Sequence, residues 1–450
     1  MLCKRSLGKG LLFLLMITAS TGRPQSQARE SGDLSFEDYF IDKALRLELF
    51  QCGDSRESVT TLHSIVEEPC WPESPKSLLT PFPYGKFIVK VFDAGSNQLI
   101  YSKGFDTLFA EYATTKPAIL GTKRVFQTTT RIPTPKAAVK LKLERRNADN
   151  SYTSIFNAHL EPTDTRIRRE SNGNADKTIE IQMKGSAHDC LDIVFLSEGY
   201  LASQEEKFVA DVKRMTEYLF SVAPYKTANQ RINIRGVFRA SEESGTDDPN
   251  KGIFRNTVLN SSFNTLDIDR YLLLEDNHRM HQMAARVAYD TIVVLVNSRT
   301  YGGGSICLDY CVCSTDSPAS QLVFVHELGH GLAYLADEYE GNVSYSDMYP
   351  EGVEPVEPNI TRQLDPNKIK WKAFLSEDVS LPTPLSSQTE SERIVGAFQG
   401  GGYLSKGMYR AQANCWMGST SSKEGFCVAC DKAIKRMIDF YSPVDPPQQD

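Results

Sequence analysis

The chain has 450 residues, 40% of them hydrophobic and 24% charged, with a net charge of −7 and a pI near 5.7. That length exceeds what one compact core usually takes, so two domains are expected, and the composition excludes a fibrous or wholly disordered chain. The charge is spread along the chain without a polybasic run, which argues against nucleic acid or an anionic membrane surface as a partner.

At the N-terminus, Lys4, Arg5 and Lys9 precede an apolar run at residues 11–19 that is too short to span a bilayer. This is the pattern of an export signal, and Ser20, Thr21 and Gly22 put its removal between about residues 20 and 28. Residues 1–28 are therefore read as a signal peptide and the start of a polar tail. The chain is expected to be secreted, periplasmic or cell-surface, with membrane association only if the signal is retained. Cysteine usage agrees with export: ten are present, and nine remain once Cys3 leaves with the signal. They are read as disulfide staples, Cys52 with Cys70 forming a local bridge and one cysteine left over. Cys427 and Cys430 have a spacing that also permits a structural zinc site, but the irregular spacing of the set favours disulfides in an exported chain.

Residues 33–163 read as short strands. Phe87, Val89 and Val91 alternate before a turn at residues 93–97, and Leu99 and Tyr101 resume; Val139, Leu141 and Leu143 repeat the pattern before a turn at 147–150 and an apolar stretch at 152–156. Two hairpins of this kind predict an antiparallel β-sandwich. Residues 164–177 are polar and charge-rich and are assigned as a linker. From 178 to 445 the period changes: strands at 191–196, 232–238 and 291–296 alternate with helices at 203–222 and near 280–288, which is an α/β order. The expected class is a multidomain α+β protein, a sandwich followed by an α/β catalytic domain.

The sharpest local signal is Val325-His326-Glu327-Leu328-Gly329-His330, an HExxH pattern in an apolar helical run. Residues four apart share a helix face, so both imidazoles can meet one zinc ion at about 2.1 Å. Glu327 is then placed to take a proton from attacking water and pass it to a leaving amine, which is metal-assisted amide hydrolysis. Ser317 is the expected cap and Pro318 the first helical residue, with Leu322, Val325, Leu328 and Leu332 as the inner stripe. Zinc needs a third protein ligand. Asp337 leads, provided the chain leaves the helix near residues 331–335 and folds back; Glu338, Glu340, His278 and His281 are alternatives.

Four segments together give a wider resemblance: LDIVFLSEGY at 191–200, YGGG at 301–304, HELGHGLAYLADEY at 326–339, and Tyr409-Arg410 followed by Cys415-Trp416-Met417. In these the chain resembles the bacterial immunoglobulin A peptidases, the igalysin branch of metzincin-like zinc metallopeptidases. The resemblance implies a β-sandwich followed by a zincin catalytic domain with one catalytic Zn²⁺ on His326, His330 and Asp337, Glu327 as general base, and Met417 in a turn beneath the metal. It further implies a substrate cleft with Tyr301, Gly303 and Gly304, in which the strand at 303–308 pairs with extended substrate, although a simple buried strand fits the same residues; Tyr409 is read as a packed aromatic, with stabilisation of the oxyanion as the alternative. The chain departs from the wider metzincin pattern at Ala333, where that pattern has Gly, and places the third ligand one residue later. The expected substrate is an extracellular or host protein or glycoprotein, with specificity in loops such as 241–263 and 351–359. An adhesive protein carrying an accessory metal domain is the alternative. Sequons at Asn260, Asn342 and Asn359 are read as surface loops.

Overall fold

Residues 34–169, 176–341, 348–387, 393–419 and 425–443 are described by the structure, a computed structural model; the expected signal peptide and the Asn342 sequon lie outside them. The N-terminal part is built from β1 (Phe40–Gly53), β2 (Ser58–Glu68), β3 (Phe87–Asp93), β4 (Leu99–Phe105), β5 (Arg124–Pro135), β6 (Val139–Arg146), β7 (Tyr152–Leu160) and β8 (Ile167–Arg168). They form two four-stranded sheets, β5-β1-β2-β8 and β4-β3-β6-β7, antiparallel except where β8 lies parallel to β2. Both expected hairpins are present, and their turns use Asn97 and Asn150 at φ 60° and 66°, a conformation asparagine tolerates well.

The hairpin of β1 and β2 separates Cys52 from Cys70. Cys52 pairs with Val59 while Ala44 pairs with Glu68, so the two thiols lie at opposite ends of a ladder about eight residues, or roughly 27 Å, long. No bridge can join them at that distance, and all nine described cysteines are free thiols. The expectation of disulfide staples is corrected accordingly.

The remaining chain is mixed α/β. A six-stranded sheet runs β15-β16-β14-β10-β11-β9, from β9 (Lys177–Gln182), β10 (Leu191–Glu198), β11 (Ile232–Phe238), β14 (Thr291–Val296), β15 (Gly303–Ile306) and β16 (Tyr310–Ser314). The four central strands are parallel and the two edges antiparallel. Every residue of β10 and β14 is buried, as their near-continuous apolar sequences require of strands covered on both faces. The helix Glu205–Leu219 lays Phe208, Val212, Met215 and Leu219 on one side of this sheet, in the same core as the helix Ser320–Ala333 and the C-terminal helix Val428–Tyr441. Smaller pairings complete the fold: β12 (Ser261–Ser262) with β13 (Leu273–Leu274), and a three-stranded sheet of β17 (Ile360–Thr361), β19 (Leu404–Arg410) and β18 (Phe398–Gly401). Among the described residues no helix is long and apolar enough to cross a membrane.

Residues 35–450 cluster as one compact unit, and the segment read as a linker is partly built into it. Ile167 is buried beside Ile65 on β2, and the Asp176 side chain, 1% exposed, lies against two guanidinium groups. Asp176 accepts from Arg239 at 2.5 and 2.7 Å and from Arg286 at 2.7 Å. Burial alone would raise its pKa, but the two arginines outweigh that and hold it below the ordinary carboxylate value. A depressed folded pKa stabilises above the unfolded value and loses that contribution as pH falls. Asp176→Asn is expected to cost about 3 kcal/mol in urea unfolding at pH 7, with the difference from wild type shrinking below about pH 4.

Candidate metal centre

The helix Ser320–Ala333 is buried on every side but one, where His326, Glu327 and His330 remain partly exposed. It begins two residues later than the capping pattern predicted: Ser317 contributes its carbonyl to the Ser320 N–H rather than a side-chain cap, and Pro318 precedes the helix. Its other end carries the site. Tyr334 takes a left-handed conformation at φ 55°, ending the helix after Ala333 and turning the chain back. A tyrosine there costs about 1 kcal/mol or more relative to glycine. Its ring is held by stacking on Tyr84, with centroids 5.5 Å apart and planes 11° from parallel.

Residues 336–339 are then fastened from three other parts of the chain. The Asn359 amide donates to Ala336 O and accepts from Ala336 N–H, both at 2.8 Å. Met417 O accepts from the Glu338 N–H at 2.7 Å, and Gly402 and Tyr403 donate their N–H groups to Asp337 O and Tyr339 O at 2.7 and 3.1 Å. The tyrosine hydroxyl of Tyr403 also donates to Asp337 Oδ2.

This backbone route brings three ligand atoms together. Asp337 Oδ1 lies 3.2 Å from His326 Nε2 and 3.4 Å from His330 Nε2, and the two Nε2 atoms are 3.2 Å apart. Ligand atoms of a tetrahedral ion at about 2.0–2.1 Å stand about 3.3 Å from one another, so the triangle fits such an ion. The Nδ1 atoms are already committed, His326 donating to Trp416 O at 2.9 Å and His330 to Leu335 O at 2.5 Å. Both rings therefore present Nε2 to the centre. Asp337 Oδ1 is buried and makes no hydrogen bond of its own. Burial works against a charged imidazole at His326, but the neighbouring Asp337 carboxylate outweighs it and lifts the ring to about 9. The carboxylate thus favours positive charge between the two rings.

The other candidate ligands are placed elsewhere. His278 Nε2 lies 3.0 Å from Leu49 O, and His281 is held between Tyr289 OH and Asp309 at 3.0 and 2.8 Å. Glu340 is exposed, and Glu338 turns into a separate cluster of thiols. Met417 is fully buried under the motif helix, where a Cβ on Gly329 would fall 3.1 Å from its sulfur. Tyr301 is exposed. Gly303 backs onto the helix so closely that a Cβ would meet Val323 Cγ1 at 2.6 Å and Glu327 Cγ at 3.2 Å, and one on Gly304 would meet the Tyr271 ring.

One expectation needs correction. The outer edge of β15 is not free for substrate: Gly303 O accepts from Leu272 N–H at 3.1 Å, Gly303 N–H reaches Arg270 O, and Cys307 O accepts from Asp106 N–H. Tyr409 is half-buried and packs against the main core, while the Tyr403 hydroxyl contacts Asp337. Sequence reasoning missed Tyr403, whose one local signal is the run Gly400, Gly401, Gly402 with positive φ ahead of it. It also took Asn359 for a surface sequon, whereas the residue is fully buried.

Comparison with known families gives two matches. Residues 179–394 and 385–438 match the model described as IgA Peptidase M64, and residues 35–157 match the Peptidase M64 N-terminus. No curated protein matches the chain.

Asn359→Ala leaves the two polar groups of Ala336 unpaired in the interior and removes the amide contact to Glu338 Oε1, which keeps its two thiol contacts. It is expected to cost about 2–4 kcal/mol in urea unfolding, and mass spectrometry of protein from a glycosylating host should find Asn260 open to modification and Asn359 bare.

Proposed function

Because the chain belongs to the IgA peptidase M64 family, and so is a peptidase with a protein substrate, we propose that it is an exported zinc endopeptidase whose centre is His326, His330 and Asp337 with Glu327 as general base. The observation that carries this reading is the near-equilateral triangle of Nε2, Nε2 and Oδ1, with a glutamate on the same open helix face. Two imidazoles and one carboxylate suit zinc, and three protein ligands leave a position open for chemistry. A zinc ion bound there supplies Lewis acidity that acidifies water and polarises the scissile carbonyl.

The chain's own groups do the rest. Glu327 takes the proton of the attacking water and returns it to the leaving nitrogen. Its carboxyl is pushed up by burial, with the nearby imidazoles opposing that shift, so proton acceptance and release lie closer in energy than for an exposed glutamate. Tyr403 holds Asp337 through its outer oxygen and fixes the carboxylate's rotation. Arg270, at the exposed rim and 3.2 Å from the Tyr339 hydroxyl, is placed to orient a carbonyl of the substrate. Extended substrate meets the helix face near Tyr301 without adding to β15, since the chain itself occupies that edge. The antiparallel edge strand beside the motif helix supports a zincin-like assignment for the C-terminal part, and the two antiparallel sheets support the sandwich assignment for the N-terminal part. Export rests on Lys4, Arg5 and Lys9 ahead of the apolar run at 11–19.

The test is cleavage of a mixed protein and peptide library, read by mass spectrometry, with a chelator-treated sample and Glu327→Ala alongside. Cuts should vanish with chelation and return with zinc. Glu327→Ala should keep its metal while kcat falls by at least about 10²-fold. Cutting that persists in both controls would sink the mechanism. Tyr403→Phe should bind zinc about 10–100-fold more weakly in competition with a chromophoric chelator, and unchanged affinity would remove Tyr403 from the ligand set's support.

A further inference from the structure

Behind the ligand turn lies a second group of metal-binding side chains that the peptidase reaction does not use. Glu338, Cys415, Cys427 and Cys430 are all buried, and each offers a ligand atom within 4.8 Å of every other. Glu338 Oε1 is 3.3 Å from Cys427 Sγ and 3.1 Å from Cys430 Sγ, and Cys415 Sγ is 3.7 Å from Cys430 Sγ. Sulfur ligands of a tetrahedral zinc at about 2.3 Å are separated by about 3.8 Å.

Three further features fit a bound cation. Glu338 is 1% exposed and its Oε2 has no hydrogen-bond partner. Its Oε1 is met by the Asn359 amide and two thiols, and among the described residues no cationic side chain pairs with it. Cys415 Sγ accepts backbone N–H groups from Met417 and Cys427 at 3.4 and 3.2 Å, the bonding that stabilises a sulfur carrying negative charge. Cys427 and Cys430 are spaced C-x₂-C at the start of the C-terminal helix, a common zinc-ligand spacing.

A disulfide accounts for less. A sulfur–sulfur bond is about 2.05 Å long, well short of the 3.7 Å between Cys415 and Cys430. It would also use two of three sulfurs and leave the third, with the Glu338 carboxylate, buried beside no positive charge. We propose that Glu338, Cys415, Cys427 and Cys430 form a second, structural site for one zinc ion, closed to substrate and separate from the catalytic centre. Four protein ligands and full burial are the marks of a structural site. Its position explains its use. Glu338 follows the ligand Asp337, and Cys415 lies two residues before Met417 and next to Trp416, whose carbonyl orients His326. One ion would therefore clamp the ligand turn to the turn beneath the centre and to the C-terminal helix.

The test uses full-length protein purified without reductant and loaded with zinc alone. Metal analysis should give two zinc ions per chain, and His330→Ala, which removes a catalytic ligand, should keep one. After denaturation in chelator without reductant, alkylation should label Cys415, Cys427 and Cys430 in full. Cobalt supplies a reading specific to sulfur. Cobalt-substituted protein should show a thiolate-to-cobalt charge-transfer band in the near ultraviolet, retained by His330→Ala and lost in Cys430→Ala. A cobalt-loaded wild-type protein without that band, or a peptide map linking any two of the three cysteines, would overturn the proposal even if Cys430→Ala fails to fold. These readings do not depend on cleavage, so they stand or fall apart from the peptidase mechanism.

Discussion

A carboxylate carried into a protein interior must meet a positive partner or give up its charge, and Asp337 is 6% exposed with one oxygen aimed between two imidazoles. Much of the C-terminal architecture serves to hold it there. The helix must stop after Ala333, the chain must reverse through a left-handed tyrosine, and the reversed strand must be fastened by residues far away in sequence. Hydrogen bonds from Asn359, Gly402, Tyr403 and Met417 all converge on 336–339, so no single contact sets the carboxylate's position. Coordination distances vary by only a few tenths of an ångström, and a segment fastened at four points meets that tolerance better than a free loop.

The N-terminal part takes a share of this work. Tyr84, between β2 and β3, stacks on the strained Tyr334, and Asp106 pairs by backbone with Cys307 beside the edge strand. Arg131 of β5 donates to Tyr289 O at 2.7 Å and lies 3.6 Å above that tyrosine ring. Such contacts are buried and specific, unlike those of a tethered neighbour. They explain why residues 35–450 form one unit although the sheets are separate, and they make the N-terminal part a buttress for the turn that carries Asp337.

What the sequence made legible follows from the range of each interaction. The hairpins of β3 with β4 and β6 with β7 are local, and alternation with turn residues suffices to read them. The HExxH pair is local too, since four residues along a helix place both rings on one face. In β1 the alternation of Leu45, Leu47 and Leu49 with Arg46 and Glu48 suggests a solvent face that does not exist, because both charged residues are buried, Arg46 paired with Glu48 and with Glu68. Tyr403 and Asn359 reach their partners across 66 and 23 residues, distances no local motif encodes. The same blindness produced the errors over Cys52 with Cys70 and over the Asn359 sequon, because neither sequence spacing nor a three-residue motif reports register or burial.

Crystals of the zinc-loaded chain, measured on both sides of the zinc absorption edge, would test the central claim most directly. The account predicts an anomalous peak about 2.0–2.2 Å from His326 Nε2, His330 Nε2 and Asp337 Oδ1, with Glu327 beside it and not bonded to it. A peak bound through Glu327, or a zinc-loaded crystal with no peak between the two histidines and Asp337, would contradict it.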